Sequence, residues 1–312
     1  MASTESPAAS GWLGELRAEL AALEGRSLRR TILTPRHGQG ETLSIDGREL
    51  LNLTSNNYLG LAGDPRVVEA AVEAARAYGA SVSASRLLCG STPLHEELEG
   101  RLAALKGQEA ALLYSSGYLA NLGVLTALAR PGDAIFSDAL NHASIIDGCR
   151  LSGADTKIYG HCDAEHLAEL LATTPASRRL IVSETVFSMD GDIAPLPALV
   201  ELARDHDAVL VIDEAHATGV LGPHGEGALA RLGLDPEGVI IVGTLSKALA
   251  SAGGFVAAGQ TVIDYLVNRS RPFIFNTALP PASVGAALAA LDIVAGEPER
   301  RAHLAALATR LR

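Results

Sequence analysis

Between residues 110 and 244 the chain repeats one pattern: a run of four to six mostly apolar, β-rich residues, then a longer mixed segment. The runs are 110–114, 134–137, 156–159, 180–184, 208–213 and 239–244, and each intervening segment is long enough for a helix. Strands that read as almost continuous apolar runs are buried on both faces. The alternation therefore predicts an α/β fold with a mostly parallel central sheet, helices on both faces, and ligands at the carboxyl ends of the strands. A further run, 255–258, returns after a tight Gly/Ser-rich turn.

Upstream, Trp12, Leu16, Leu20 and Leu23 fall on one helical face that ends near Gly25, after a small, polar start (1–10) expected to be disordered. Apolar pairs flanking Asp46-Gly47 read as a small hairpin. Asp64-Pro65 opens a helix running to about Tyr78, and another is expected over 93–105. From Pro280 a long Ala/Leu helix runs to the last residue, with a break at Gly296-Glu297-Pro298. The pattern divides the chain into an amino-terminal helix and arm (1–50), a large α/β domain (51–280), and a helix (281–312) leading into a smaller carboxyl-terminal domain expected to be truncated.

Composition narrows the class. The 312 residues suffice for one large domain and part of a second. A net charge of −11 argues against nucleic-acid or anionic-membrane partners, and no apolar stretch is long enough to span a bilayer. Cys89, Cys149 and Cys162 are odd in number and lack CxxC spacing, which favours a reducing cytoplasm.

Candidate chemistry gathers at strand ends. The chain holds only three lysines, and one, Lys247, sits in the turn after 239–244. A surface lysine is the plain alternative; an amine can also form a Schiff base, which arginine cannot. Ser115-Ser116-Gly117-Tyr118 turns from a strand into a helix, whose free N–H groups suit a phosphate. His142 follows another strand and could as well be structural. Asp213, with His216 three residues on, ends an apolar strand where a bare carboxylate would be costly. Thr244 and the polar loop 183–191 complete the set. Arg29, Arg30 and Arg36 read most simply as a solvated basic face. His161-Cys162-Asp163 with His166 could suggest a metal, but Asp163 is better read as a helix N-cap, so no metal is expected. Together a phosphate site, an acidic residue for a pyridinium, a histidine for a ring and a lysine for an aldehyde describe pyridoxal 5′-phosphate (PLP).

Over about 52–281 the chain resembles the α-oxoamine synthases, a branch of the fold-type I PLP enzymes. The resemblance implies Lys247 as the Schiff-base lysine, Asp213 as partner of the pyridine nitrogen, His216 on the ring hydroxyl, and His142 stacked on the ring and touching substrate. It implies phosphate binding by the N–H groups of Gly117 and Tyr118, cofactor contacts from Ser188 and Thr244, a phosphate contact from Thr277 of a partner subunit, and substrate binding by Arg29. The implied assembly is a homodimer with shared sites. The loop 85–90 with Pro93-Leu94-His95 is more similar to the members that condense L-alanine with a pimeloyl thioester, on coenzyme A or a carrier protein, than to the 2-amino-3-ketobutyrate ligases. Lys247 would act as general base at the amino acid's Cα.

Two other readings stay open. The first is another member of the family, such as a glycine C-acetyltransferase. The second is a non-catalytic PLP-fold protein kept for assembly or binding, which the early end at Arg312 would favour. Asp213-Glu214-Ala215-His216 also matches a helicase-type box, but no GxxxxGK[ST] loop accompanies it.

Overall fold

The structure is a computed structural model that describes residues 7–35 and 40–311. The start read as disordered (for 1–6), Arg36 of the basic cluster, and Arg312 lie outside the described residues. Residues 7–10 are helical rather than disordered, because proline suits the first position of a helix and alanine its body.

Two compact units arise, Met1–Leu53 and Thr54–Arg312. In the first, helix α1 spans Pro7–Gly25, and strands β1 (Thr42–Ile45) and β2 (Arg48–Leu51) pair antiparallel. Asp46 and Gly47 join them, both with left-handed φ (52° and 75°), as the two central residues of a type I′ hairpin turn require.

The second unit holds α2 (Pro65–Tyr78), α3 (Pro93–Lys106), β3 (Ala110–Tyr114), α4 (Gly117–Leu128), β4 (Ala134–Asp138), α5 (Ala143–Ser152), β5 (Asp155–Tyr159) and α6 (Ala164–Thr173). There follow β6 (Arg179–Glu184), α7 (Leu196–Asp205), β7 (Ala208–Asp213), α8 (Ala228–Leu232), β8 (Val239–Thr244), β9 (Gly254–Ala258), α9 (Gln260–Arg269), α10 (Arg271–Ile274), α11 (Pro281–Gly296) and α12 (Pro298–Leu311). Asp64 caps α2 by accepting from the Arg66 N–H at 3.0 Å. Seven strands form one sheet in the order β3-β9-β8-β7-β6-β4-β5, in which only β9 runs against its neighbours. This is the mostly parallel sheet that the apolar runs predict.

Period-two alternation splits the strands between two cores. Leu113, Phe136, Ile181, Ile212, Ile241 and Phe255 belong to one buried cluster, while Leu112, Ile135, Val182, Val211, Val242 and Val256 belong to the other. Helices cover both faces: α2, α3 and α11 meet around the first core, and α4, α5 and α10 around the second. The connection from β7 to β8 departs from expectation. Glycines at 219, 222, 225 and 227, all at positive φ, leave it only the five-residue α8. Among the described residues no helix is long and apolar enough to cross a membrane.

Candidate active site

Parallel strands β6, β7 and β8 end side by side, so their last residues, Glu184, Asp213 and Thr244, share one edge of the sheet. There the turn around Lys247 is closed by backbone bonds: Leu245 N–H to Gly253 O (3.0 Å), Ser251 N–H to Leu245 O (2.9 Å) and Ala250 N–H to Lys247 O (3.0 Å). Thr244 Oγ1 donates to Gly253 O at 2.9 Å and lies 2.8 Å from Ser246 Oγ, which fixes the strand end against the return into β9.

Lys247 is half-buried, and its Nζ lies 2.7 Å from His216 Nε2; His216 Nδ1 lies 2.7 Å from Tyr58 Oη. An ammonium only donates, so Nε2 accepts from it and Nδ1 carries the ring proton toward Tyr58. Burial, then the charges of Lys247 and His142, lowers His216 to about 4, which keeps the imidazole neutral near pH 7. Burial also lowers Lys247, against the opposing pull of the Asp213 and Glu184 carboxylates.

Asp213 is buried with both oxygens engaged: Oδ2 accepts from Asn121 Nδ2 at 2.7 Å, and Oδ1 from the Ala215 N–H at 2.8 Å. Asn121 Nδ2 also reaches Ser144 Oγ at 2.9 Å, and Ser144 Oγ lies 2.8 Å from His142 Nδ1. A polar chain thus joins the carboxylate on β7 to the exposed His142 at the start of α5. Asn141 anchors that turn, donating to Ser137 Oγ and Val182 O (both 2.9 Å) and accepting from the Glu184 N–H. Burial, and the charge of Asp213 next to it, push Glu184 up to about 7.

Helix α4 begins beside this edge. Ser116 caps it through the Leu119 N–H (3.2 Å), and helix geometry leaves the N–H groups of Gly117 and Tyr118 without intrahelical acceptors. The approach is close: a Cβ on Gly254 would lie 2.4 Å from Gly117 N, and one on Gly117 would lie 3.2 Å from Thr244 Cβ. Glycine at 254 is what lets the helix start descend onto the strand ends, and at 117 a Cβ would press on Thr244.

Lys247, His216, Asp213 and Thr244 are thus brought together with the α4 start, and His142 is tied to them through Ser144 and Asn121. The Tyr118 ring stands edge-on to His142 (6.4 Å between centroids), and its hydroxyl bonds Asp147. Ser188 is exposed in the turn after β6. The carbonyl of Thr277 accepts from Ser115 Oγ at 3.3 Å, at the root of α4. Arg29, in the amino-terminal unit, pairs with Glu24 at 2.6 Å. Three residues were not singled out from the sequence. Asn121 could have been, as a polar position on an apolar helix; the parts of Tyr58 and Glu184 depend on neighbours distant in sequence.

These residues fit PLP. Two buried polar atoms at the edge, Asn121 Oδ1 and Glu184 Oε1, have no partner among the described residues, and the glycine-lined helix start provides an anion cradle.

Comparison with known proteins agrees. The aminotransferase class I and II family model matches residues 48–312. The chain is 54% identical over 300 residues to the 8-amino-7-oxononanoate synthase of Anaeromyxobacter sp. (strain K), covering 96% of this chain and 75% of that protein. It is 50% identical over 306 residues to the 8-amino-7-oxononanoate synthase of Burkholderia thailandensis, covering 96% and 78%. Among solved structures, serine palmitoyltransferase from S. paucimobilis with a PLP–myriocin aldimine matches with a TM-score of 0.87 at 33% identity, covering 94% of this chain and 74% of that one. The 8-amino-7-oxononanoate synthase of Francisella tularensis matches with a TM-score of 0.69 at 32% identity, covering 80% and 70%. A family match over most of the length, and relatives half-identical across nearly all of it, establish that this chain belongs to the aminotransferase class I and II family and, within it, to the α-oxoamine synthases, fold-type I enzymes that use PLP.

Proposed function

We propose that the chain condenses L-alanine with a pimeloyl thioester, on coenzyme A or a carrier protein, and releases carbon dioxide and the free thiol to give 8-amino-7-oxononanoate, a step of biotin synthesis. The coarser statement, an amino acid joined to an acyl thioester by a PLP enzyme, holds for the family. The observation that carries the finer one is the identity of about half to proteins named for that product, over 96% of this chain.

PLP, when bound, supplies an electron sink that stabilises negative charge at the amino acid's Cα. Lys247 would hold the cofactor covalently, and its lowered pKa would suit its amine, when free, to take the Cα proton at Nζ. Asp213, oriented by Asn121 and the Ala215 N–H, keeps a pyridine nitrogen protonated. Neutral His216 would accept a hydrogen bond from the ring hydroxyl at Nε2, the nitrogen that faces Lys247. Gly117 and Tyr118 N–H groups at the positive end of α4 hold the phosphate, with Ser188, Thr244 and Thr277 of a second copy adding contacts. His142 orients the substrate carboxylate or thioester carbonyl, and Arg29 binds substrate. Three free thiols support a reducing cytoplasm as the compartment.

Serine palmitoyltransferase matches in structure with the higher TM-score, so serine and longer acyl chains belong in the assay. Turnover of alanine, glycine and serine against pimeloyl and other acyl thioesters tests the proposal. Alanine with a pimeloyl thioester is expected to be fastest. Preference for glycine with an acetyl donor would indicate a 2-amino-3-ketobutyrate ligase, and a yellow protein without turnover would indicate a non-catalytic binder. Lys247→Ala is expected to lower turnover by at least about 100-fold, as loss of an acid–base group does.

A further inference from the structure

The sequence around His161 pairs it with Asp163 and His166, but the fold uses those two elsewhere. Asp163 caps α6 by accepting from the His166 N–H (2.9 Å), and His166 Nδ1 accepts from the Gly160 N–H (3.0 Å). In their place two carboxylates from other strand ends converge on the imidazole. Asp138, last residue of β4, sets Oδ1 at 2.9 Å from His161 Nδ1, and Asp192, in the segment after β6, sets Oδ2 at 2.8 Å from Nε2. Cys162 Sγ completes a triangle, 3.7 Å from His161 Nε2 and 3.5 Å from Asp192 Oδ2.

We propose that His161 Nε2, Cys162 Sγ and Asp192 form a binding site for a borderline-soft divalent metal of the zinc class, oriented by Asp138. Ligand atoms about 2.0–2.3 Å from a tetrahedral ion stand roughly 3.3–3.8 Å apart. Two edges of the triangle already lie in that range, and the third, the 2.8 Å His161–Asp192 hydrogen bond, needs to open by about half an ångström. The donor set, one nitrogen, one sulfur and one oxygen, suits zinc and disfavours magnesium or calcium. Asp138 holds the other ring nitrogen, as a carboxylate behind a metal-bound histidine does. Its side chain is 1% exposed and fixed by the Cys162 N–H (2.9 Å) and the Leu140 N–H (2.8 Å). Asp192 Oδ1 is a buried oxygen with no partner among the described residues, suited to become a second oxygen ligand or to bind a metal-held water. Cys162 sits at a left-handed φ of 55°, a conformation cysteine rarely adopts and one that the surrounding bonds hold in place. Phe187 packs edge-on against the His161 ring (4.4 Å between centroids), while Asp192, with 40% of its side chain exposed, leaves a way in from solvent.

Binding would break the His161–Asp192 hydrogen bond and displace the Cys162 thiol proton to solvent, together with any second proton on the imidazole. Nothing is oxidised or reduced. The metal would tie the ends of β4 and β5 to the segment 185–193, which carries Ser188. None of the four residues (Asp138, His161, Cys162 and Asp192) is assigned to the cofactor or substrate above, and the proposal does not depend on which substrate is used.

The test is titration of the chelator-stripped holoenzyme with Zn²⁺ against a chromophoric chelator, and with Co²⁺ by absorption. The expected result is one metal per chain and a cobalt spectrum with tetrahedral d–d bands and a thiolate charge-transfer band. Both spectral features should vanish in Cys162→Asn and persist in Cys89→Ser. Asp138→Asn should weaken zinc binding by about 10–100-fold, the usual cost of losing such an orienting group. Cobalt bands in the wild type report the thiol directly, so misfolding of a variant does not decide the outcome. No stoichiometric metal in the wild type, or equal affinity and spectra in Cys162→Asn, overturns the proposal.

Discussion

Asp213 illustrates how much one buried carboxylate needs around it. Its two oxygens are met by the Asn121 amide and the Ala215 N–H, so Asn121→Ala leaves one oxygen without its donor. A hydrogen bond to a charged group contributes about 1.5–3 kcal/mol, so equilibrium dialysis should find PLP held roughly tenfold or more weaker in that variant. Unchanged PLP affinity would remove Asn121 from the site. Glu184 gives a pH signature. Its pKa in the folded chain, about 7, lies above the ordinary value. The protonated form therefore contributes stability that is complete below about pH 4.3 and is lost as pH rises through the folded value. Glu184→Gln keeps a neutral group throughout. In urea denaturation of the cofactor-free protein, the wild type should lose stability relative to this variant between about pH 4.3 and 7 and run parallel to it above that. Parallel curves would refute the assignment. At Gly254 the constraint is steric, since a Cβ would meet Gly117 N and the Ser116 carbonyl within 2.5 Å. Gly254→Ala should cost about 1–3 kcal/mol and displace the phosphate turn, which denaturation and PLP titration would reveal together.

The elements divide into those written locally and those decided at long range. Strands β3, β4, β6, β7 and β8 were legible because burial on both faces demands nearly unbroken apolar runs, the half-exposed edge strand β5 only from its place in the alternation, and the β1–β2 hairpin because Asp-Gly suits two left-handed residues. The breaks at Pro93 and Glu297 were equally plain. Helices α8, α9 and α10 left no comparable trace: they are short, and α9 buries only Ile263 and Leu266. The same division runs through the site. Lys247, Asp213 and the α4 start stand at strand ends, where chain order alone locates them. Tyr58 meets His216 across 158 positions, and Glu184 faces Asp213 only through the β6–β7 register, so neither leaves a periodic pattern. Lys106 is a further case. It ends α3 buried against Glu214 (2.6 Å), Thr218 (2.8 Å) and the Glu226 carbonyl (2.5 Å). Lys106→Ala strands the Glu214 carboxylate and should cost about 3–5 kcal/mol in chemical denaturation. A loss below 1 kcal/mol would mean the pair is solvated after all.

For the whole molecule, the proposed homodimer makes a physical demand. Leu88 (82% exposed) and Phe275 (72%) stand on two segments joined by the Ala278 N–H to Ala84 O bond, next to Thr277. A second copy covering them would bury Thr277 beside them in the interface. Light scattering should give twice the chain mass, and Leu88→Ser with Phe275→Ser should shift it toward one chain and weaken PLP retention. A stable single chain with full activity would contradict shared sites. Beneath all of this lies the covalent hold of one amine on the cofactor. Borohydride reduction of the PLP-loaded protein, followed by peptide mass spectrometry, measures it directly. One phosphopyridoxyl group per chain is expected, on the peptide containing Lys247. Modification confined to Lys106 or Lys157, or none at all, would contradict it.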